Sequence, residues 1–259
     1  APHSGRMVVD AKQLSLGYGD INVLDKIDFH IERGERVAFV GRNGEGKSTM
    51  VKAIVGELGQ QGGTLELGYQ VVIGYYAQNQ AKLLDPEKTV FETIDDVAVG
   101  DIRPKIRTIL GSFLFDTEAT EKKVKVLSGG EKARLALAKL LLSPFNLLIL
   151  DEPTNHLDMP SKDVLKNALL QYEGSLILVS HDRDFLQGLS TKTYEFKDHQ
   201  LRGYTGDVYD FLQQRKIESL NELQRKAAVA SNAEKTVSSN KENYERRKEQ
   251  EAADRKKKN

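Results

Sequence analysis

A glycine-rich run at residues 41–49 carries the clearest chemistry in this 259-residue sequence. It reads Gly-Arg-Asn-Gly-Glu-Gly-Lys-Ser-Thr, follows the apolar run Arg36–Val40 and opens a predicted helix, which is the context of a phosphate-binding P-loop. Glycines let backbone N–H groups converge on phosphate oxygens, and the helix N-terminus adds a favourable dipole. Lys47 is expected to reach the β- and γ-phosphates of a nucleotide, and Ser48 to ligate Mg²⁺. The predicted phosphate-binding residues are Gly41, Asn43, Gly44, Gly46, Lys47, Ser48 and Thr49.

Two carboxylates follow a second apolar run. Leu147–Leu150 is typical of a buried strand, and Asp151 and Glu152 come directly after it. Asp151 is expected to hold Mg²⁺ through water, and Glu152 to polarise an attacking water as general base. A strand that ends in acids is common, so the pair indicates this role because a P-loop precedes it. A third acid, Glu45, lies inside the P-loop, where its charge would repel a triphosphate unless the side chain points outward.

The run Leu127–Glu131 is a second helix start that could bind phosphate. Ser128 is a natural N-cap, and the two glycines after it expose backbone N–H groups. Taken alone, such a run is usually only a helix cap. The residues by themselves leave both interpretations open.

In this order, the runs resemble the ATP-binding cassette family. Leu127–Glu131 is similar to its signature motif, and Asp151–Asp158 is similar to its Walker B motif and D-loop. The resemblance implies that ATP and Mg²⁺ bind, that ATP is hydrolysed, and that each signature motif completes the site of a second cassette. It assigns Tyr18 to stacking on adenine, Gln78 to sensing Mg²⁺ and the water, His181 to contacting the γ-phosphate, and Ser128, Gly129 and Gly130 to the partner's ATP. The predicted catalytic residues are therefore Lys47, Gln78, Glu152 and His181, and the predicted metal ligands are Ser48, Gln78 and Asp151.

Three of these residues have ordinary alternatives when each is taken alone. Tyr18 could be a sheet aromatic, Gln78 a surface amide and His181 a loop histidine. Their order along one chain favours the family's roles.

The runs Asp151–Asp158 and Ser180–Leu186 resemble the ABC-F branch of that family. ABC-F proteins carry two cassettes in one chain, and many bind ribosomes at the tRNA exit region. Because this sequence has one P-loop and one signature motif, it resembles a single cassette of such a protein. Its lead, residues 2–6, is similar to the segment that precedes the C-terminal (second) cassette, with a cloning remnant as the alternative. The resemblance implies a cytoplasmic ATPase without membrane insertion, slow as an isolated cassette, that acts in translation or antibiotic protection. Its implied partners are a second cassette, either the N-terminal one of a full-length chain or a homodimer mate, and the ribosome or tRNA.

Two other functions stay open. The chain could be the nucleotide-binding subunit of a transporter, although the sequence Asn-His-Leu-Asp at residues 155–158 argues against this interpretation. It could also be a DNA-associated ATPase, because residues 215–259 hold 13 Lys or Arg against 8 Asp or Glu and form a basic tail.

The elements that must position these residues indicate an α/β fold. Alternating strands and helices imply a parallel sheet, and the helical stretch over about residues 79–143 interrupts this alternation as an inserted helical subdomain. The family resemblance implies an ATP-binding cassette fold, with a RecA-like P-loop core and an antiparallel β subdomain beside that insertion. Residues 1–206 are predicted to form the cassette, and 207–259 a charged helical C-terminal extension that is partly disordered. Strands are predicted over Met7–Ala11, Gln13–Tyr18, Ile27–Ile31, Arg36–Val40, Thr64–Leu67, Val71–Tyr76, Leu147–Leu150 and Leu176–Val179. Helices are predicted from Lys47 to Val55 and over Val90–Val97, Ile102–Phe115 (which Gly111 can interrupt), Glu131–Leu142, Ser161–Tyr172 and Arg183–Leu189.

Composition excludes several other classes. The sequence has no cysteine, which excludes a disulfide framework and a thiolate metal site. No run of about 18–20 apolar residues is present, which excludes a membrane-spanning helix. The formal net charge is zero, so the overall balance points to neither nucleic acid nor a membrane.

Overall fold

Residues 4–77, 80–155 and 157–218 are described by the computed structural model. The strands named from it are β1 Met7–Tyr18, β2 Ile21–Glu32, β3 Arg36–Gly41, β4 Gly62–Leu67, β5 Ile73–Tyr76, β6 Leu147–Asp151, β7 Ser175–Val179, β8 Lys192–Lys197 and β9 Gln200–Thr205. The named helices are α1 Lys47–Ile54, α2 Val90–Asp95, α3 Ile106–Ser112, α4 Thr117–Thr120, α5 Gly129–Leu142, α6 Met159–Leu170 and α7 Arg183–Leu186. Short 3₁₀ turns lie at Gln80–Leu83, Gly100–Lys105 and Val124–Val126.

The predicted chemistry lies at one edge of a six-stranded sheet with the strand order β5-β6-β7-β3-β8-β9. Its strands are parallel except β9, which is antiparallel to β8. β6 and β7 are buried along their whole length, which explains why their sequences are continuous apolar runs. Because β6, β7 and β3 are neighbours, the segments that follow their carboxyl ends meet at the same edge. The predicted parallel sheet is confirmed.

A smaller antiparallel sheet with the order β2-β1-β4 shares an apolar core with β3 and α1. Aromatic rings join the two sheets. The ring centroid of Phe29 on β2 lies 5.7 Å from that of Phe39 on β3 and 4.9 Å from that of Tyr194 on β8, both edge to face. Such pairs are the geometry that aromatic quadrupoles favour, so these rings fix the small sheet on the large one.

The chain between β5 and β6 forms α2–α5 and short 3₁₀ turns, which confirms a helical insertion. A single helix over Ile102–Phe115 is wrong. Pro104 lies inside the 3₁₀ turn that ends at Lys105, and α3 begins after it. Proline lacks an N–H and clashes with the preceding helical turn, so the α-helix starts late. The end of α3 at Ser112 lies one residue past Gly111, where the sequence allows an interruption.

Backbone contacts divide the chain into two units, Ala1–Phe211 and Leu212–Asn259. All strands and helices named above belong to the first unit. In the second unit residues 212–218 are described and are helical. The predictions for residues 219–259 fall outside the described residues. Across the described ranges, no helix is long and apolar enough to cross a membrane.

Candidate functional site

The P-loop leaves β3 at Gly41 and enters α1 at Lys47. Its last glycine, Gly46, is the N-cap of α1 and has a φ of 100°, in the region that favours glycine. A Cβ atom at this position would lie 3.0 Å from the Val23 side chain and 3.1 Å from that of Leu24. Position 46 therefore has neither the backbone conformation nor the space for a side chain, and the start of α1 stays open to a phosphate.

Lys47 is buried at the first position of α1, and its ammonium group is held by its own loop. Nζ donates to the carbonyl oxygens of Gly41 at 2.8 Å and Arg42 at 2.9 Å. Burial lowers the pKa of Lys47, whereas the negative charges of Glu152 and Asp151 act in the opposite direction. A phosphate bound here would exchange neutral carbonyl partners for charged oxygens, which make stronger hydrogen bonds.

Asp151 is the last residue of β6 and is buried. Its Oδ1 atom has no hydrogen-bond partner among the described residues. Burial raises the pKa of Asp151, while a hydrogen bond from the Ser48 hydroxyl and the charge of Lys47 lower it. A buried carboxylate oxygen without a partner is costly unless a ligand binds it. Asp151 and Ser48 therefore fit Mg²⁺, which prefers oxygen ligands and takes few from the protein when phosphates and waters supply the rest.

Glu152 has an uncommon backbone conformation with a φ of 51°. Its N–H donates to the Val179 carbonyl at 2.8 Å, which fixes this turn against the end of β7. The side chain is 11% exposed, and its Oε1 lies 3.5 Å from Nε2 of His181, close enough for an ion pair but without the geometry of a hydrogen bond. Burial raises the pKa of Glu152, and the charge of His181 opposes that shift.

These side chains line one cleft of about 460 Å³ at the carboxyl edge of the sheet. β3 leads into the P-loop, β6 delivers the two carboxylates, and β7 leads to the histidine. A larger cavity of about 820 Å³ lies elsewhere, between the helical insertion and α6, and contains none of the predicted residues, so size does not locate the site. The described residues that line the smaller cleft are Asn43, Gly44, Gly46, Lys47, Ser48, Thr49, Asp151, Glu152, Asn155, Val179 and His181.

Tyr18 lies at the end of β1 and is not part of this cleft lining. It is 46% exposed, and Nζ of Lys52 on α1 lies 6.0 Å from the centroid of its ring. An exposed ring beside the P-loop helix can stack on a flat base. Gln78 lies outside the described residues.

A protein-family model described as ABC transporter matches residues 24–155, about half of the chain, from β2 through the two carboxylates. The chain belongs to the ABC transporter family. A solved structure of the ATP-binding subunit of an ABC transporter has the same fold, with a TM-score of 0.69 and 22% identity over 85% of this chain and 98% of that chain. The predicted ATP-binding cassette fold is confirmed.

Curated relatives place the cassette within one branch of that family. It is 43% identical, over 90% of its length, to ABC transporter F family member 2 of Arabidopsis thaliana. It is 41% identical, over 92% of its length, to ABC transporter F family member 5 of the same organism. The chain spans 34% of the length of each of these relatives. The predicted resemblance to ABC-F is confirmed.

The signature motif of this ABC cassette begins α5 through a capping box. The Oγ atom of Ser128 accepts the Glu131 N–H at 3.3 Å, and the Ser128 N–H donates to the Glu131 carboxylate at 2.7 Å. These hydrogen bonds lower the pKa of Glu131. Ser128 and Gly129 are exposed, and neither these two residues nor Gly130 line the P-loop cleft. The structure brings the P-loop, the carboxylates and His181 together in one cleft. Gly129 lines a separate cavity of about 590 Å³, whose lining also includes Glu152 and Asn155.

Asn155 also lines the cleft, although it is not among the predicted site residues. Its N–H donates to the Glu152 carbonyl at 3.2 Å. The preceding Thr154 hydroxyl lies 3.5 Å from the Ser180 hydroxyl, so the segments after β6 and β7 are linked beside the site. The sequence feature that could have identified Asn155 as a cleft residue is its position in the D-loop run, three residues after Glu152.

Proposed function

We propose that this chain is one ATP-hydrolysing cassette of an ABC-F protein and that its P-loop cleft binds MgATP. The observation that supports this most strongly is the convergence of Lys47, Asp151, Glu152 and His181 on one cleft, although they come from three different strand ends. ABC cassettes as a family are ATPases, and this cleft holds the groups that such a reaction requires.

Nucleotide binding is assigned to the P-loop and its surroundings. Lys47 and the backbone N–H groups of residues 43–49 bind the phosphates at the positive end of α1. Tyr18 stacks on the adenine. Ser48 and Asp151 hold Mg²⁺, with Gln78 as a further ligand; the ion offsets negative charge on the phosphate oxygens.

Hydrolysis is assigned to Glu152 and its neighbours. The Glu152 carboxylate takes a proton from a water molecule while the water oxygen bonds to the γ-phosphorus. The bond from that phosphorus to the β–γ bridging oxygen breaks, and ADP and phosphate leave. Burial raises the pKa of Glu152, which makes its carboxylate a stronger proton acceptor than an exposed one. His181, next to Glu152, contacts the γ-phosphate, and Gln78 senses the water.

A second cassette is the proposed direct partner. Ser128, Gly129 and Gly130 lie outside the chain's own cleft, and in the family such motifs complete the site of a facing cassette. The partner is the N-terminal cassette of a longer chain, of which this would be the second cassette, or a second copy of this chain. An isolated cassette therefore hydrolyses ATP slowly, and rapid turnover by a strictly monomeric sample would contradict this.

For the full-length protein we propose a cytoplasmic role at the ribosome and its tRNA, in translation or antibiotic protection. The support is the ABC-F similarity. Co-sedimentation of the full-length Glu152→Gln protein with ribosomes in MgATP tests this role. Binding to DNA with none to ribosomes would contradict it.

Calorimetric titration with MgATP tests the binding proposal on the chain itself. We expect saturable binding by the wild type. Lys47→Ala should bind at least about tenfold more weakly, because it loses charge-assisted contacts to the phosphates. Lys105→Ala removes an exposed lysine from a distant 3₁₀ turn and should bind like the wild type. Equal affinity of the wild type and Lys47→Ala would refute the proposed site.

A further inference from the structure

We propose that Glu45 is a positioning residue that anchors the P-loop on the turn between β8 and β9. This proposal rests on the proposed MgATP site and deepens it. The Glu45 carboxylate oxygen Oε2 accepts a hydrogen bond from the backbone N–H of Asp198 at 3.0 Å. The acid in the middle of the phosphate loop is therefore bound to a distant part of the chain.

The anchor point is a tight two-residue turn. Asp198 and His199 have φ values of 51° and 62°, as the two central residues of a type I′ hairpin require. The ladder between β8 and β9 ends at the pair Lys197 and Gln200. Because the Asp198 N–H lies beyond the last ladder pair, it is available to the Glu45 carboxylate.

The turn is itself fixed on β2 by three hydrogen bonds. The Nδ1 atom of His199 donates to the Val23 carbonyl at 3.1 Å. The Asp25 N–H donates to the His199 carbonyl at 3.0 Å, and Nε2 of Gln200 donates to the Asp25 carbonyl at 3.0 Å. A turn held in this way is a rigid support and not a free loop.

Each end of the P-loop packs on one of the two strands that this anchor connects, β8 at the start of the loop and β2 at its end. At its start, Gly41 packs so closely on β8 that a Cβ atom there would lie 2.5 Å from the Phe196 carbonyl oxygen. At its end, Gly46 packs against Val23 and Leu24 of β2. Glu45 adds the side-chain contact between these points and joins the P-loop, the β8–β9 turn and β2 in one frame. Tyr18 on β1 pairs with Ile21 on β2. The same set of contacts therefore connects the phosphate end of the proposed site with its adenine end.

Glu45 then has two opposing effects on nucleotide binding. Its negative charge repels the triphosphate. Its hydrogen bond keeps the loop in one conformation, which reduces the entropy lost when the phosphates bind. At this partly exposed position, salt and water screen the charge. The hydrogen bond is short-range, so we expect its effect to be larger.

Two substitutions separate these effects, with MgATP affinity of the full chain measured by calorimetry. Glu45→Ala removes both the charge and the acceptor, and we expect affinity to fall by about fivefold. Glu45→Gln removes the charge but keeps a carbonyl acceptor, and it should bind at least as tightly as the wild type. If both variants bind equally more tightly, charge alone matters and the anchor is refuted. Equal affinity of all three proteins would also refute it.

Hydrogen exchange at the Asp198 amide tests the anchor without nucleotide. In the wild type and Glu45→Gln this amide should exchange slowly, and in Glu45→Ala at least about fivefold faster. An unchanged exchange rate in Glu45→Ala would overturn the proposal, whatever the nucleotide measurements show. A wild type that binds MgATP no better than Lys47→Ala would instead refute the proposed function. Thermal unfolding of each variant checks that the fold is retained.

Discussion

Replacing Glu152 by glutamine separates ATP binding from ATP hydrolysis. Glutamine has almost the same size and shape, so the backbone at φ 51° and the N–H bond to Val179 need not change. The substitution removes the proton acceptor. Loss of a general base lowers turnover by about 10²–10⁴-fold, equivalent to about 3–5 kcal/mol in the barrier. MgATP affinity should stay within about threefold of the wild type or become tighter, because the Lys47 contacts remain and one negative charge is removed.

The assay is phosphate release at saturating MgATP, corrected with Lys47→Ala as background, together with calorimetric affinity for each protein. Glu66→Gln makes the same chemical change on an exposed position of β4 and should keep wild-type turnover. If Glu152→Gln releases phosphate at the wild-type rate, Glu152 is not the base. If its affinity for MgATP falls tenfold, the carboxylate contributes to binding and the separation of roles is wrong.

Three further changes test the site and its support. Turnover should fall as the pH drops through a value above 4.5, the ordinary pKa of glutamate, because the base must be ionised and burial raises the pKa of Glu152. A pH–rate profile that stays flat down to pH 4.5 would contradict this. Gly46→Ala places a side chain against Val23 on a backbone with a φ of 100°. MgATP affinity should therefore fall at least about tenfold, and the free energy of unfolding by about 1–3 kcal/mol. As a control, Gly59→Ala has open space around its Cβ atom and should change neither quantity. Phe39→Ala should lower the free energy of unfolding by about 3–5 kcal/mol in a denaturant titration, and a loss below 1 kcal/mol would show that the rings do not join the two sheets as described.

Most of the residues that line the cleft could be predicted from the sequence, because they follow strongly marked strands. The runs before Gly41 and Asp151 are continuous apolar strands, and a glycine-rich loop after such a strand has few other uses. α1 begins and ends within one residue of its predicted bounds, since Gly46 and Gly56 delimit it. The positions of Asp151, Glu152 and His181 in the cleft then follow from the parallel sheet.

Other strands and turns of the structure are less clearly indicated by their local sequence. No element is predicted over residues 192–205, where the structure has β8 and β9. Tyr194 and Phe196 alternate with charged residues as in a strand. The turn between the strands, however, is Asp198-His199, which lacks the glycine that usually marks a type I′ hairpin. The outward direction of Glu45 depends on that turn and could not be predicted before the turn was known.

The position of β3 in the sheet has a consequence for biosynthesis. β3 lies between β7 and β8, yet residues 42–174 separate it from β7 along the chain. During synthesis from the N-terminus, the strand that leads into the P-loop has no neighbour in its sheet until residues 175–197 have been made. Until then Val37, Ala38 and Phe39 are an apolar segment without strand pairing, the kind of segment that aggregates. We therefore expect the emerging chain to depend on protection by a chaperone until β7 and β8 are complete.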